Sequence, residues 1–256
     1  MGARHVPAAD LLLPLTDPRL QTPVASEKKL RAFEERNITV SRTARYAVLG
    51  SVDADLSEVW FVCHGQGQLA RRFLSRFLPL ERSDRLFIAP EALSRYYLLP
   101  ARGGPHPPDA PIGANWMTYE DREADIADYV SYLDSLHDEI FSVVDRSSVR
   151  LWVLGFSQGV ATVARWIARG RAEPDRVVFY AGLLPPDLDA TSAARLTRRA
   201  PLTIALGTGD EFARPVLVAQ QEARLNALGI AHETLRFDGG HEIVPEVLTR
   251  LVETAA

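Results

Sequence analysis

The chain has 256 residues, 46% of them hydrophobic and 24% charged, and 29 basic against 33 acidic residues leave a net charge of −4. That length is enough for one large α/β domain or two small ones, and the ordinary composition excludes a collagenous, low-complexity or disordered chain. Charges of both signs are interspersed, so no basic face for nucleic acid is expected, and a single cysteine, Cys63, excludes an intramolecular disulfide.

Residues 1–35 carry Pro7, Pro14, Pro18 and Pro23 without a clear period, which predicts an irregular arm with a short helix around Glu27 to Glu35. The patch Leu11-Leu12-Leu13-Pro14-Leu15 is short, broken by proline and preceded by Asp10, and no small-residue cleavage site follows it. No run approaches the length of a membrane span. Gly2 is present, but Val6 stands where the myristoylation pattern needs Ser or Thr. A cytoplasmic protein without integral membrane contact is the expectation.

From residue 36 onward a single domain is expected, and strands and helices alternate. Ile38-Thr39-Val40 and Tyr46-Ala47-Val48-Leu49 have the β-branched and aromatic character of strands. Glu58 to Cys63 and Arg85 to Pro90 are apolar runs of the kind buried on both faces of a parallel sheet. Between them Leu69, Phe73, Leu74 and Phe77 recur at helical spacing. Residues 91–118 are rich in proline and glycine and read as a long loop, a feature more often functional than idle. Ile126, Val130, Leu133 and Ile140 mark a helix opened by Thr118 and acidic residues. Strands at Val149–Leu154, Arg176–Tyr180, Leu202–Leu206 and His232–Phe237 then alternate with helices at about 158–169, 214–228 and 244–254. The expected class is α/β, with a mainly parallel central sheet covered by helices on both faces.

The chemistry gathers at the ends of these strands. Gly155-Phe156-Ser157-Gln158-Gly159 follows one strand and opens a helix, the strand–turn–helix setting in which a serine nucleophile is held up on a sharp elbow. Such a serine needs a base, and the base needs an orienting acid. Of the two histidines downstream, His232 starts a strand, whereas His241 lies on the loop Gly239-Gly240-His241, free to turn inward. Asp210, on the loop Gly207-Thr208-Gly209-Asp210 after a strand, is the first choice of acid, with Glu211 and Asp238 as lesser candidates. Backbone N–H groups of Gln158 and of Gln66, in His64-Gly65-Gln66-Gly67-Gln68, are placed to receive developing negative charge. His64 is expected to support that turn, and Cys63, inside an apolar run, to be a core residue. Tyr96, Tyr97, Trp116 and Met117 are candidates for the substrate pocket. No His/Cys cluster has metal-ligand spacing.

These segments, with Gly240-His241-Glu242 and Trp116 to Ile126, resemble the phospholipase/carboxylesterase family of α/β-hydrolases, which includes acyl-protein thioesterases; the resemblance covers about residues 38 to 254. It implies the α/β-hydrolase fold, no cofactor, the triad Ser157, Asp210 and His241, and esterase or thioesterase activity on a small-molecule acyl ester. Gln66-Gly67-Gln68 departs from the family's apolar residue and Gly-Asp, and residues 91–118 do not match its lipid-tunnel loop, which favours small or medium acyl groups. Longer-chain thioesterase or lysophospholipase activity, and a non-catalytic hydrolase-fold binding protein, are the alternatives; self-association through the N-terminal arm is a further possibility.

Overall fold

The computed structural model describes residues 34–52, 55–101, 103–199 and 201–253. Two units are distinguished, residues 1–43 with 98–111, and residues 44–97 with 112–256. In the first, residues 34–43 carry no regular structure, and Ile38 and Val40 are 86% and 72% exposed. The strand expected there is not formed. β-branched propensity is realised on a pleated, half-buried surface, and these side chains stay in solvent. The helix expected around Glu27 to Glu35 lies almost wholly outside the described residues. Residues 98–111 close on themselves, the Leu98 N–H donating to the Pro111 carbonyl at 2.8 Å.

The second unit runs β1 (Tyr46–Leu49), β2 (Glu58–Cys63), α1 (Ala70–Leu74) with a following 3-10 turn (Ser75–Leu80), β3 (Arg85–Pro90), β4 (Ser94–Tyr97), β5 (Ile112–Asn115), α2 (Arg122–Phe141) and β6 (Arg150–Phe156). It continues with α3 (Gln158–Arg169), β7 (Arg176–Tyr180), α4 (Ala190–Ala194), β8 (Leu202–Gly207), α5 (Pro215–Ala227), β9 (His232–Phe237) and α6 (Pro245–Glu253). Seven strands form one sheet in the order β1-β3-β2-β6-β7-β8-β9. β1 is antiparallel to β3 and every other pairing is parallel.

The apolar runs explain the layering. Successive side chains on a strand face opposite sides, so β2 feeds two cores at once. Val59, Phe61 and Cys63 join the cluster with α2, α3 and α5, while Trp60 and Val62 join the cluster with α1 and α6. Trp60 and Trp152, paired across β2 and β6, stack with ring centroids 4.2 Å apart and planes 6° from parallel. Of the described residues, no helix is long and apolar enough to cross a membrane.

The segment expected as a continuous loop over 91–118 holds β4 and β5, an antiparallel ribbon pairing Tyr96 with Gly113 and Tyr97 with Ile112. A bridge between Gln68 and Ala114 ties it to the turn after β2. The chain order runs outward from β2 to β3 on one side and from β6 to β9 on the other. The crevice outside the carboxyl ends of the strands, at the β2–β6 reversal, is where open α/β sheets bind ligands.

Candidate active site

Ser157 sits at that reversal, between β6 and α3, with φ 55° and ψ −119°. A positive φ is costly for any residue with a Cβ, and the surroundings impose it. A Cβ on Gly155 would stand 2.3 Å from the Gly159 carbonyl oxygen, and one on Gly159 would stand 2.2 Å from the Cys63 carbonyl oxygen. Only glycine at both places lets strand, elbow and helix close this tightly. The Ser157 N–H donates to the Tyr180 carbonyl at 2.9 Å, and its own carbonyl accepts from Val160 N–H at 3.0 Å. α3 therefore begins directly behind the hydroxyl, with its positive end toward it.

The hydroxyl is the first link of a hydrogen-bonded chain. Ser157 Oγ lies 2.9 Å from His241 Nε2, and His241 Nδ1 lies 2.9 Å from Asp210 Oδ2. Asp210 Oδ1 accepts the Phe212 N–H at 2.8 Å, and the carboxylate is 1% exposed. The rings of Phe156 and Phe212 pack against the imidazole, with centroids 5.1 and 4.6 Å away. Tyr180 Oη accepts the Val244 N–H at 3.0 Å and so anchors the loop that carries His241. Glu211 and Asp238 are exposed, and His232 bonds instead to the Ile230 carbonyl at 2.9 Å.

The turn after β2 packs against the elbow: a Cβ on Gly65 would be 3.0 Å from Ser157 Cβ. Three amides of this turn are occupied. Gly65 N–H donates to Gln68 Oε1 at 2.8 Å, Gly67 N–H to the Ala114 carbonyl at 2.8 Å and Gln68 N–H to the Gly65 carbonyl at 3.2 Å. Among the described residues no acceptor is found for the N–H of Gln66 or of Gln158. His64 is fully buried, its Nε2 accepting the Ala92 N–H at 3.1 Å, so Nδ1 carries the proton and donates to the Gly65 carbonyl at 2.8 Å. Burial holds this imidazole below its ordinary pKa, keeping it neutral.

The residues expected on a pocket wall divide. Trp116 is 3% exposed, and its indole N–H donates to the His64 carbonyl at 2.8 Å. Met117 is half-buried, with Arg165 Nη1 3.3 Å from its sulfur. Tyr96 and Tyr97 are neighbours on β4, so they project to opposite faces of the ribbon. Cys63 is buried beneath the turn, where burial pushes its thiol pKa up. Sequence reasoning missed the two phenylalanines near His241 and both side-chain bonds of Gln158; an aromatic residue two places after Asp210 on a glycine-rich loop was the available signal for Phe212. A groove of about 980 Å³ lies at the other end of the strands, lined by Arg146, Arg150, Arg176 and Arg199, and does not touch Ser157.

One charge cluster braces the loop after β7. Asp187 accepts Arg165, Arg169 and Arg122 at 2.7, 2.6 and 3.0 Å, joining that loop to α3 and to the first turn of α2. Burial works against ionisation of Asp187, but the hydrogen bonds and charge of Arg165, helped by Arg122, outweigh it and hold the carboxyl well below the usual range. Arg165 is 2% exposed, so removing its partner leaves a buried, uncompensated charge. Asp187→Asn is expected to cost about 3 kcal/mol, the low end for breaking a buried pair because Asp187 borders solvent. In a chain of this size that lowers Tm by roughly 6–12 °C. Because the folded pKa is depressed, the wild-type increment is complete above the unfolded value of about 3.9 and is lost progressively as pH falls from there toward the lower folded value. Thermal melts from pH 7 to pH 3 should show a gap between wild type and variant that is constant down to about pH 4 and begins to narrow below it; a gap that stays constant to pH 3 would refute the assignment.

No family model matches the chain, and neither does any curated protein. Similarity is found among solved structures. Esterase PE8 is 19% identical at a TM-score of 0.58, over 84% of this chain and 100% of that one. Acyl-protein thioesterase 2 of Zea mays is 17% identical at 0.57, over 83% and 98% of the two chains. The phospholipase/carboxylesterase of Dyadobacter fermentans is 16% identical at 0.56, over 85% and 99%. The likeness is one of fold, and the architecture is that of the α/β-hydrolases.

Proposed function

We propose that this chain is a serine carboxylesterase of the phospholipase/carboxylesterase type, acting in the cytoplasm on small or medium acyl esters. The observation that carries this reading is the unbroken chain from Ser157 Oγ through His241 to the buried Asp210, with both links 2.9 Å long. A serine hydroxyl is a weak nucleophile until a neutral imidazole accepts its proton, and the imidazole is held in the required tautomer by the acid behind it. Ser157 Oγ attacks the acyl carbon as its proton passes to His241 Nε2. The carbonyl oxygen becomes an oxyanion and takes hydrogen bonds from the N–H groups of Gln66 and Gln158. Collapse of this intermediate breaks the ester bond, and the alcohol leaves with the proton from His241. Water then attacks the acyl-enzyme by the same route, releasing the acid and restoring Ser157.

Small or medium acyl groups are favoured because Trp116 and Met117 are committed to packing and the turn at Gln66-Gly67-Gln68 gives the site a polar border. A fluorophosphonate probe tests the reaction class. It should label the wild type and not Ser157→Ala; no labelling of folded wild-type protein would remove the enzyme reading. A series of p-nitrophenyl esters from acetyl to palmitoyl, with thioesters alongside, tests the substrate. kcat/KM should be highest at acetyl or butyryl, and a rise toward palmitoyl would replace this reading with a long-chain thioesterase or lysophospholipase.

A further inference from the structure

The two amides assigned to the oxyanion come from segments far apart in sequence, and a circuit of hydrogen bonds joins them. It starts at the side chain of Gln158. Its Oε1 accepts the Trp116 N–H at 3.1 Å and its Nε2 donates to the Met117 carbonyl at 3.0 Å. From Trp116 the circuit passes through the indole N–H to the His64 carbonyl at 2.8 Å, with the indole and imidazole centroids 5.1 Å apart. His64 Nδ1 then holds the Gly65 carbonyl at 2.8 Å. The Gly65–Gln66 peptide is planar, so fixing its C=O on one edge fixes the Gln66 N–H on the other.

We propose that the Gln158 side chain is a positioning residue that sets the separation and aim of both oxyanion donors. Its own backbone N–H is one of them, and through Trp116 it holds the turn that bears the other. This inference rests on the serine-hydrolase reading. The residue type follows from the task. The clamp needs an acceptor and a donor side by side, opposite the N–H of residue 116 and the C=O of residue 117. At this side-chain length only a primary amide supplies both: a carboxylate lacks the donor and a thioether offers neither at comparable strength. The backbone N–H and the side chain of Gln158 thus carry separate roles.

Donors of this kind act on charge that exists only in the transition state. Displacing them therefore lowers kcat and leaves KM nearly unchanged. The test compares the wild type with Gln158→Met, Gln158→Glu and Trp116→Phe. The readouts are kcat and KM on p-nitrophenyl butyrate, the affinity of a boronic acid that forms a tetrahedral adduct, and the thermal midpoint. Gln158→Met is expected to lose about 10- to 100-fold in kcat with KM changed less than about twofold, and to weaken boronate binding in parallel. Trp116→Phe, which keeps an aromatic side chain and loses the indole donor, should move the same quantities the same way. In Gln158→Glu the deficit relative to wild type at the same pH should shrink as pH falls, because the neutral carboxyl regains an O–H donor for the Met117 carbonyl.

A kcat for Gln158→Met within twofold of wild type would overturn the proposal. So would a loss expressed in KM alone, a loss that merely tracks the unfolded fraction, or a pH-independent deficit in Gln158→Glu. Wild-type turnover that Ser157→Ala abolishes keeps the serine reading standing whichever way Gln158 falls, so the two failures are told apart.

Discussion

Ser157→Ala is expected to reduce kcat by about 10⁶-fold, the scale at which loss of a nucleophile removes the acyl-enzyme route altogether, while the circular dichroism of the protein stays that of the wild type. The substitution deletes one oxygen at the rim of the crevice and leaves the Tyr180 and Val160 backbone bonds of residue 157 in place. It also leaves φ at 55°, so alanine inherits the strain of the elbow. Ser157→Gly separates the two properties. It is equally inactive, but glycine adopts this conformation freely; relief of about 1–3 kcal/mol of strain outweighs the 0.5–1 kcal/mol or so that glycine's extra unfolded-state entropy costs. The glycine variant should therefore melt roughly 2–4 °C above the alanine variant. Ester turnover by either within about a hundredfold of wild type would place the nucleophile elsewhere.

Asp210→Asn is expected to lower kcat by about 10⁴-fold with little change in thermal midpoint. The two side chains have one shape, and the retained carbonyl oxygen still accepts the Phe212 N–H. The difference lies in the atom facing His241 Nδ1. A carboxylate oxygen accepts a hydrogen bond from Nδ1–H and leaves Nε2 free to take the serine proton. An amide NH₂ donates, which forces the proton onto Nε2 and points a donor at Ser157 Oγ. Hydrogen bonding remains plentiful and the base is gone. A loss smaller than about tenfold at neutral pH would show that His241 is oriented by its two aromatic neighbours rather than by Asp210.

The parallel strands were legible because burial on both faces writes an uninterrupted apolar run, as at Glu58–Cys63 and Arg85–Pro90, and both sit where expected. The turn glycines bracketing Ser157, and the strand-end positions of Asp210 and His241, were readable for a related reason: backbone crowding there admits few residue types. What was not legible depends on partners. Ile38-Thr39-Val40 has strand composition but its apolar side chains lie in solvent, while β4 and β5 pair across a proline- and glycine-rich stretch that masks them. Nothing in the spacing of Arg122, Arg165, Arg169 and Asp187 announces that four charges meet. The destination of a single side chain, such as the Trp116 indole turned onto the His64 carbonyl, is a tertiary fact. Local pattern says that an aromatic is present and not which way it faces.

The stacked pair of Trp60 and Trp152 carries an optical consequence. Two indoles held 4.2 Å apart and 6° from parallel couple their excited states, and they do so only while β2 and β6 lie in register. The resulting exciton signal reports on the middle of the sheet, beside the elbow, and is silent about the helices. During unfolding it distinguishes a chain that has lost the strand pairing beneath the Ser157 turn from one that has merely frayed at the surface.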